Sequence, residues 1–341
     1  MSDSNIESFQ PATPPPTPPP TPPPAADAPA PRPLHLRMPA IVLFVLGVLI
    51  LIGGIANFIP GGIWTGPAFA FSGVLLFALS FIRLPQATNA DEPPMSGVQK
   101  VMGIFYEPTR VFRNLRAHPH WLAALLVIAA INALYTAAFT QRLTAEVIVN
   151  YTMEKLAESP IKPPPERMEK AKEDALQQAK QPIQQIQTAA KSFVKVFVGG
   201  TFIAALCLLG VLAFGGRINF WQAFAAMLYA SLPIAVVSKI LSLVILYVKA
   251  PADIHPILGA ETLVQDNLGV LFAPAEHPAL FVLGSAIGVL SFYGLWLWAK
   301  GLANAGQKVS SSAAWGVSIT LWILGLIFGM IFATLFSSFI S

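Results

Sequence analysis

Long runs of apolar residues, separated by shorter polar segments, dominate the chain from residue 38 onward. Because a helix of about 20 apolar residues crosses the hydrocarbon core of a bilayer, each such run predicts a membrane span. The spans are expected near residues 38–59, 68–82, 121–139, 193–214, 232–248, 279–298 and 315–339. The runs lack the alternation typical of strands, so the pattern predicts an all-α integral membrane protein with about seven transmembrane helices.

The composition excludes a soluble globular protein. Hydrophobic residues make up 55% of the 341 residues and charged residues only 11%, whereas soluble domains have about 25% charged residues. The formal net charge is +4, but in a membrane protein the side on which each charge lies matters more than the sum. The charge therefore gives no indication of nucleic-acid binding, and the expected surroundings of the chain are a lipid bilayer.

The spans and the segments between them predict four parts. Residues 1–37 contain tandem Thr-Pro-Pro-Pro repeats, which favour polyproline II and predict a disordered, proline-rich cytoplasmic tail. Residues 38–84 are expected to form an N-terminal transmembrane hairpin, and residues 85–120 a cytoplasmic interfacial segment. Residues 121–341 are expected to form a five-span membrane domain that includes an outside helical loop at 140–192.

The loop at 140–192 carries apolar residues at three- and four-residue spacing, among them Met168 and Leu176, between many charged residues. This spacing predicts a helical hairpin that stands on the membrane. Two interpretations stay open. The hairpin is either a solvated element packed on itself or a surface that docks a protein partner.

Basic residues between the second and third spans determine the predicted orientation. Arg110, Arg113 and Arg116 are mixed with apolar residues at helical spacing, which predicts a helix in the membrane interface. Since Lys and Arg concentrate in cytoplasmic loops, the N-terminus is expected in the cytoplasm and, after seven spans, Ser341 outside. Ordinary anchoring explains these charges, and specific binding of anionic lipid headgroups is the alternative.

Lys239 stands inside the fifth predicted span. An ionisable residue within a membrane is by default a functional hypothesis. The alternative is geometric, because a kink at Pro233 would lay residues 218–232 along the cytoplasmic surface. The Lys239 ammonium could then snorkel to that surface.

Two Gly-x-x-x-Gly motifs occur in the last two predicted spans, Gly284 with Gly288 and Gly325 with Gly329. Glycines four residues apart let two helix backbones approach closely. The motifs predict helix packing between the sixth and seventh spans of one molecule, and dimerisation is the alternative.

Signals for catalysis are missing from the sequence. It contains no phosphate-binding loop, nucleophile elbow or pair of intramembrane carboxylates, so an enzyme is not expected. The histidines do not have the helical spacing of metal ligands, and the one cysteine, Cys207, cannot build a thiolate site. No metal or other cofactor is therefore expected.

Two further motifs occur next to the predicted spans. Tyr106-Glu-Pro-Thr-Arg-Val-Phe112 and then His118-Pro-His-Trp121 precede the third span, and an aromatic-rich stretch from Phe220 ends in Tyr-x-x-x-Pro at Tyr229 and Pro233. In this order, with five spans from the third onward, they resemble the Yip (Ypt-interacting protein) membrane domain family in its bacterial branch. The resemblance implies a five-helix domain and residence in the bacterial inner (plasma) membrane. It also implies structural roles for Glu107, Pro108, Tyr229 and Pro233.

Eukaryotic members of that family bind prenylated Rab-type GTPases, so the resemblance implies a role in recruiting proteins to a membrane. The favoured hypothesis is a non-enzymatic membrane scaffold that recruits a protein partner through the hairpin at 140–192 or through the proline-rich tail. The alternative is a subunit of a membrane transporter or channel, for which Lys239 and the glycine-rich last spans are the support.

Overall fold

The structure, a computed structural model, describes residues 34–56, 62–82, 93–158, 164–179 and 184–337. Within these ranges the named elements are α-helices and two short 3₁₀ helices, which confirms the all-α prediction. Residues 1–33, which make up most of the predicted proline-rich tail, lie outside the described residues, as does the turn of the first hairpin.

The helices of the described ranges follow one another along the chain. The first are α1 (Leu34–Ile55), α2 (Gly62–Leu79), α3 (Gly97–Gly103), α4 (Pro108–Ala117), α5 (Leu122–Leu143), α6 (Ala145–Glu158) and α7 (Pro165–Ala179). The others are α8 (Gln184–Ala213), α9 (Phe220–Val248), α10 (Leu258–Glu261), α11 (Pro278–Ser285), α12 (Val289–Ala305) and α13 (Ser311–Leu335). The 3₁₀ helices lie at Pro251–Asp253 and Leu268–Leu271.

Five helices, α1, α5, α8, α9 and α13, are long and apolar enough to cross a bilayer within the described ranges. The other two expected spans are not among these five helices. The apolar part of α2 is short, Thr65–Leu79. The expected sixth span is interrupted between α11 and α12, because Gly288 adopts an extended conformation that caps α12 and pairs with Asn267.

α1 and α2 form a hairpin in which glycines bring the two backbones into direct contact. A Cβ atom added to Gly47, Gly54, Gly66 or Gly73 would lie within 3.0 Å of backbone atoms of the opposing helix. Such close approach supplies dispersion contacts, which replace the missing hydrophobic drive between helices in lipid. The sequence carries a signal that our sequence analysis missed, since Gly62 and Gly66 also form a Gly-x-x-x-Gly motif.

α9 is the central helix of the membrane domain, since α4, α5, α8 and α12 all pack against it. The expectation that residues 218–232 lie along a membrane surface is wrong. Nearly every residue from Phe220 to Pro233 is buried, and Pro233 lies inside the helix. Small alanines along this stretch let the neighbouring helices approach it, so the aromatic-rich sequence forms a core.

The expected interfacial helix is in fact two helices, α3 and α4, separated by a turn at 104–107. Val111, Phe112 and Leu115 are fully buried, and α4 packs against α9 and α12. Trp121, which follows α4, stacks on Trp221 with ring centroids 5.9 Å apart. We call this end of the bundle, formed by α3, α4 and the two tryptophans, the platform end.

The segment 140–192 contains two helices that pack against each other, α6 and α7. Ile186, near the end of this segment, lies in α8. α6 also packs against α5. We call the end of the bundle formed by α6, α7 and residues 250–277 the loop end.

The glycine contacts of the first hairpin predict that Gly66→Val destabilises the protein. Its side chain would collide with the backbone of Leu51 and Gly47, and overpacking of this kind costs about 1–3 kcal/mol. The matched control is Gly325→Val, because an added Cβ at Gly325 meets no atom within 4 Å. Thermal unfolding in detergent should show a lower midpoint for Gly66→Val alone, and equal midpoints for the two variants would contradict the packing.

Candidate functional site

Polar residues gather around Lys239 at the loop end of the bundle. Lys239 is only 8% exposed, and it lies about 27 Å along α9 from Trp221 at a rise of about 1.5 Å per residue. That distance is close to the hydrocarbon thickness of about 30 Å. Trp221 lies at the platform end, so the part of α9 between these two residues is long enough to cross the hydrocarbon core.

The Lys239 ammonium is satisfied by two different acceptors. Its Nζ donates a hydrogen bond to the backbone carbonyl of Glu261, the last residue of α10. Nζ also lies 4.3 Å from the ring centroid of Tyr135 on α5, where the π electrons attract a cation. The expected snorkelling toward the platform end is therefore wrong, because the side chain is held at the opposite end by a segment that the sequence pattern does not bring there.

Neighbouring side chains fix the same segment, residues 257–263, to the bundle. The Tyr135 hydroxyl donates to the carbonyl of Gly259. Ser242 on α9 accepts a hydrogen bond from the backbone N–H of Leu263 at 3.0 Å and lies 3.1 Å from the Thr262 hydroxyl. Each of these bonds satisfies a polar group at membrane depth. We call the set Tyr135, Lys239, Ser242 and residues 257–263 the lysine latch.

Lys195 is a second lysine of this region that the sequence analysis overlooked, although it falls within the fourth predicted span. Its Nζ lies 2.8 Å from Glu261 Oε1, and both side chains are exposed. The neighbouring protein partly desolvates the Glu261 carboxylate, which by itself would raise its pKa, but the hydrogen bond from Lys195 and the charges of Lys195 and Lys239 outweigh this effect and lower that pKa. The Glu261 carboxylate therefore stays ionised.

His255 connects the latch segment to the α6–α7 hairpin. Its Nδ1 accepts backbone N–H groups of Ile257 and Leu258, each at 3.1 Å. An imidazole whose Nδ1 accepts carries its proton on Nε2 when it is neutral. Nε2 lies 3.2 Å from the hydroxyl of Tyr151 on α6, so this proton can be donated to α6. The arrangement positions helices against one another.

Of the four glycines in the last two predicted spans, only Gly329 faces the other span. An added Cβ on Gly284 would meet the backbone of Leu268 and Gly269, and one on Gly288 would meet Asn267. Gly329 faces Val282 of α11, and nothing lies within 4 Å of Gly325. α11 and α12 do pack against α13. Gly284 and Gly288, however, leave room for the 3₁₀ segment at Leu268–Leu271 to pack against the interrupted span.

The three arginines of the predicted interfacial helix lie at the platform end and have different surroundings. Arg110 and Arg113 are exposed, and Arg110 pairs with Glu107 at 3.0 Å. Arg116 is half-buried, and its Nε donates to the backbone carbonyl of Asn304 at 3.1 Å. Arg116 thus ties α4 to α12, whereas the side chains of the other two lie at the surface.

The family-like positions also lie near the platform end. Glu107 is the residue before α4, and Pro108 is its first residue, where proline costs no hydrogen bond. Tyr229 is fully buried and donates to the carbonyl of His120 at 3.3 Å, and Pro233 is buried one turn further along α9. The structure thus separates these residues into a helix start and a buried core.

Lys100 on α3 is a buried charge that the sequence did not reveal. It is fully buried, and its Nζ donates to the His118 carbonyl at 2.6 Å. Burial lowers the pKa of Lys100 from 10.5 to about 8. Burial also lowers the pKa of His120, and the charges of Lys100 and His118 add to that effect.

The fold and these two polar regions define a polytopic, all-helical membrane protein whose central helix connects the platform end with the loop end. A family model described as the Yip1 domain matches residues 102–333, which is more than half of the chain. The chain belongs to the Yip1 domain family. Comparisons with curated proteins and with solved structures gave no match.

Removing the latch cation should destabilise the loop end. Lys239→Met leaves the Glu261 carbonyl without its donor, and an unsatisfied buried group costs about 1–3 kcal/mol. The matched control is Lys300→Met, because the Lys300 side chain is exposed and such substitutions change stability by about 0.5 kcal/mol or less. Thermal unfolding and limited proteolysis at residues 257–263 measure the effect. Wild-type stability and protection in Lys239→Met would contradict the latch.

Lys100 predicts a pH dependence of stability with a defined sign. Between about pH 8 and pH 10.5, the unfolded chain holds a proton at this lysine that the folded chain has released. The unfolded state binds more protons, so the free energy of unfolding rises with pH across this window. Wild type should therefore gain stability relative to Lys100→Met, whereas Lys300→Met should follow wild type. Parallel curves for wild type and Lys100→Met would contradict the assignment.

Proposed function

We propose that this Yip1-family protein is a non-enzymatic membrane scaffold that recruits a protein partner through the α6–α7 hairpin. We place it in the bacterial branch of the family and in the bacterial inner membrane, with the platform end in the cytoplasm and the loop end outside. The proline-rich tail, residues 1–37, is a second recruiting segment on the cytoplasmic side. The proposal rests on two features of the hairpin: α7 is charged and exposed, and α6 is joined to the bundle.

The surface of α7 supports partner binding. The acidic and basic side chains from Glu166 to Asp174 are exposed, while Met168, Ala175 and Leu176 are half-buried. α7 packs against α6, so the apolar side of α7 is partly used within the hairpin and the charged side remains open to a partner. A mixed-charge surface confers specificity by charge complementarity rather than by burial of apolar area.

The base of the hairpin supports a defined orientation. The Tyr151 hydroxyl contacts His255, and Ile148 of α6 packs against a buried cluster that contains Phe139, Leu143 and Ile254. α6 is therefore joined both to α5 and to the segment that follows α9. A partner bound to α7 would be held at a fixed position relative to the membrane, which is the property that a scaffold requires.

Charge placement supports the proposed orientation. Residues 251–278 contain acidic residues but no Lys or Arg, whereas Arg110 and Arg113 are exposed at the platform end. Short cytoplasmic loops are enriched in Lys and Arg, whereas a segment as long as 140–192 can cross the membrane despite its basic residues, so the short loops favour the platform end as the cytoplasmic one. The described helices do not support the transporter alternative. Inverted repeats would place a second interrupted helix in the other half, and among the described helices only the α11–α12 segment is interrupted between two parts of one predicted span.

Cross-linking in intact cells tests partner and orientation together. Gln177→Cys, in a Cys207→Ala background, places a thiol at an exposed position of α7. A membrane-impermeant thiol reagent that carries a photo-cross-linker should react in intact cells and yield one discrete adduct. The matched control is Arg113→Cys, exposed at the platform end, which should react only after lysis.

Charge reversal on α7 identifies the adduct as a specific complex. Lys170→Glu combined with Lys172→Glu should abolish the adduct without changing thiol labelling, since these exposed side chains carry no part of the core. An adduct that persists in this variant, or labelled protein without any adduct, would overturn the recruiting role. Labelling of Arg113→Cys in intact cells would overturn the orientation alone.

A further inference from the structure

A cavity of about 430 Å³ lies within the membrane domain, between α9, α12 and α13. Its volume is in the range of sites for small molecules, about 300–1,000 Å³. Ser231 lines one end of the α9 wall, and Ser238 with Lys239 lines the other. On the opposite wall α12 contributes Ser291 at the end where that helix starts and Trp298 two turns further on.

With Trp221 placed at one interface of the bilayer, the preferred position of tryptophan, the cavity would span one leaflet. Ser231 lies about 15 Å along α9 from Trp221, and Lys239 about 27 Å. With a hydrocarbon core of about 30 Å, the cavity extends from the bilayer midplane to the boundary at the loop end. Two of its walls, α9 and α13, are long and apolar enough to cross a bilayer, and α12 packs against both of them. A ligand would therefore reach the cavity from the lipid phase.

Polarity changes along the cavity in the way that an amphiphile requires. Ser238, Lys239 and Ser291 line it near the boundary, whereas Ile234 and Leu295 line it toward the midplane. The deep hydroxyl of Ser231 is not an exception, because it donates to the carbonyl of Met227 in its own helix at 3.0 Å. The deep part of the site is therefore apolar and the shallow part can hydrogen-bond.

We propose that this cavity holds one acyl chain of a phospholipid from the leaflet at the loop end. The methylene chain occupies the apolar part, and the ester oxygens of the same lipid accept hydrogen bonds from the serine hydroxyls near the boundary. The proposal goes beyond the scaffold function, since it concerns a lipid site between α9, α12 and α13 and does not depend on a protein partner.

The charges around the mouth of the cavity define which part of the lipid is recognised. Lys239 and Lys195 are balanced by Glu261 and by Asp266, whose carboxylate accepts the backbone N–H of the lining residue Leu290 at 2.8 Å. Two cations and two anions give no net attraction for an anionic headgroup. The site therefore selects for the chain and ester region, and phosphatidylethanolamine and phosphatidylglycerol should bind alike.

Filling the cavity tests the proposal. Gly294 lies on the α12 wall, and a Cβ added there would make ordinary contacts, the nearest at 3.6 Å from Ile234. Gly294→Leu therefore fits the backbone and occupies the space of the acyl chain. Gly325→Leu is the matched control, because this glycine on α13 does not line the cavity and an added Cβ meets no atom within 4 Å.

The measurement is native mass spectrometry of the full chain, extracted with mild detergent from vesicles of equal parts phosphatidylethanolamine and phosphatidylglycerol. Wild type and Gly325→Leu should each retain one phospholipid, and the retained fraction should fall at least about tenfold in Gly294→Leu. If Gly294→Leu does not fold, judged by its thermal unfolding, Ser291→Leu serves in its place, because it blocks the mouth rather than the deep part.

Two results would overturn the proposal. The first is equal retention of phospholipid by wild type and the filled variant. The second is a preference of about tenfold or more for phosphatidylglycerol, which would show a headgroup site rather than a chain site.

Discussion

The buried ammonium of Lys239 is the constraint on which the loop end depends. A charge within the membrane costs several kcal/mol unless it is bonded, and no carboxylate is near it within its own helix. The backbone carbonyl of Glu261 supplies the acceptor, with the negative end of α10 behind it and the ring of Tyr135 beside it. The segment after α9 must therefore fold back to membrane depth, and it does so with its own polar groups bonded to Tyr135 and Ser242.

The segments on either side of the lysine latch connect it with α6 and with the sixth predicted span. His255, just before the latch segment, contacts Tyr151 of α6 and so connects the extramembrane hairpin with the bundle. The segment just after the latch enters the sixth predicted span, where Asn267 pairs with Gly288 and divides the span into α11 and α12. Backbone that is not helical is tolerated at membrane depth where protein surrounds it, and here Gly284 provides the space.

The platform end also contains a buried lysine that is stabilised by a backbone carbonyl. Lys100 is buried without an acidic partner among the described contacts, and it is stabilised by the His118 carbonyl at the end of α4. Gln222 donates to the carbonyl of Arg116, and Tyr229 donates to that of His120. Carbonyls in the last turn of α4 and in the segment that follows it thus accept from α3 and α9. The central helix α9 contributes donors at both ends, which makes it the element that relates platform and latch.

The sequence by itself determined the class of protein, the all-α fold and most of the membrane-crossing helices, because bilayer thickness and helix geometry set the length of the apolar runs. It also contained the Yip1-like motifs. It also identified Lys239 as exceptional. It could not show which end of the bundle receives that side chain, that Lys100 is buried, or that the sixth span is interrupted at Gly288. A side chain's acceptor, unlike its hydropathy, can come from a residue far away in the chain, as Glu261 does for Lys239, and only the tertiary structure brings the two together.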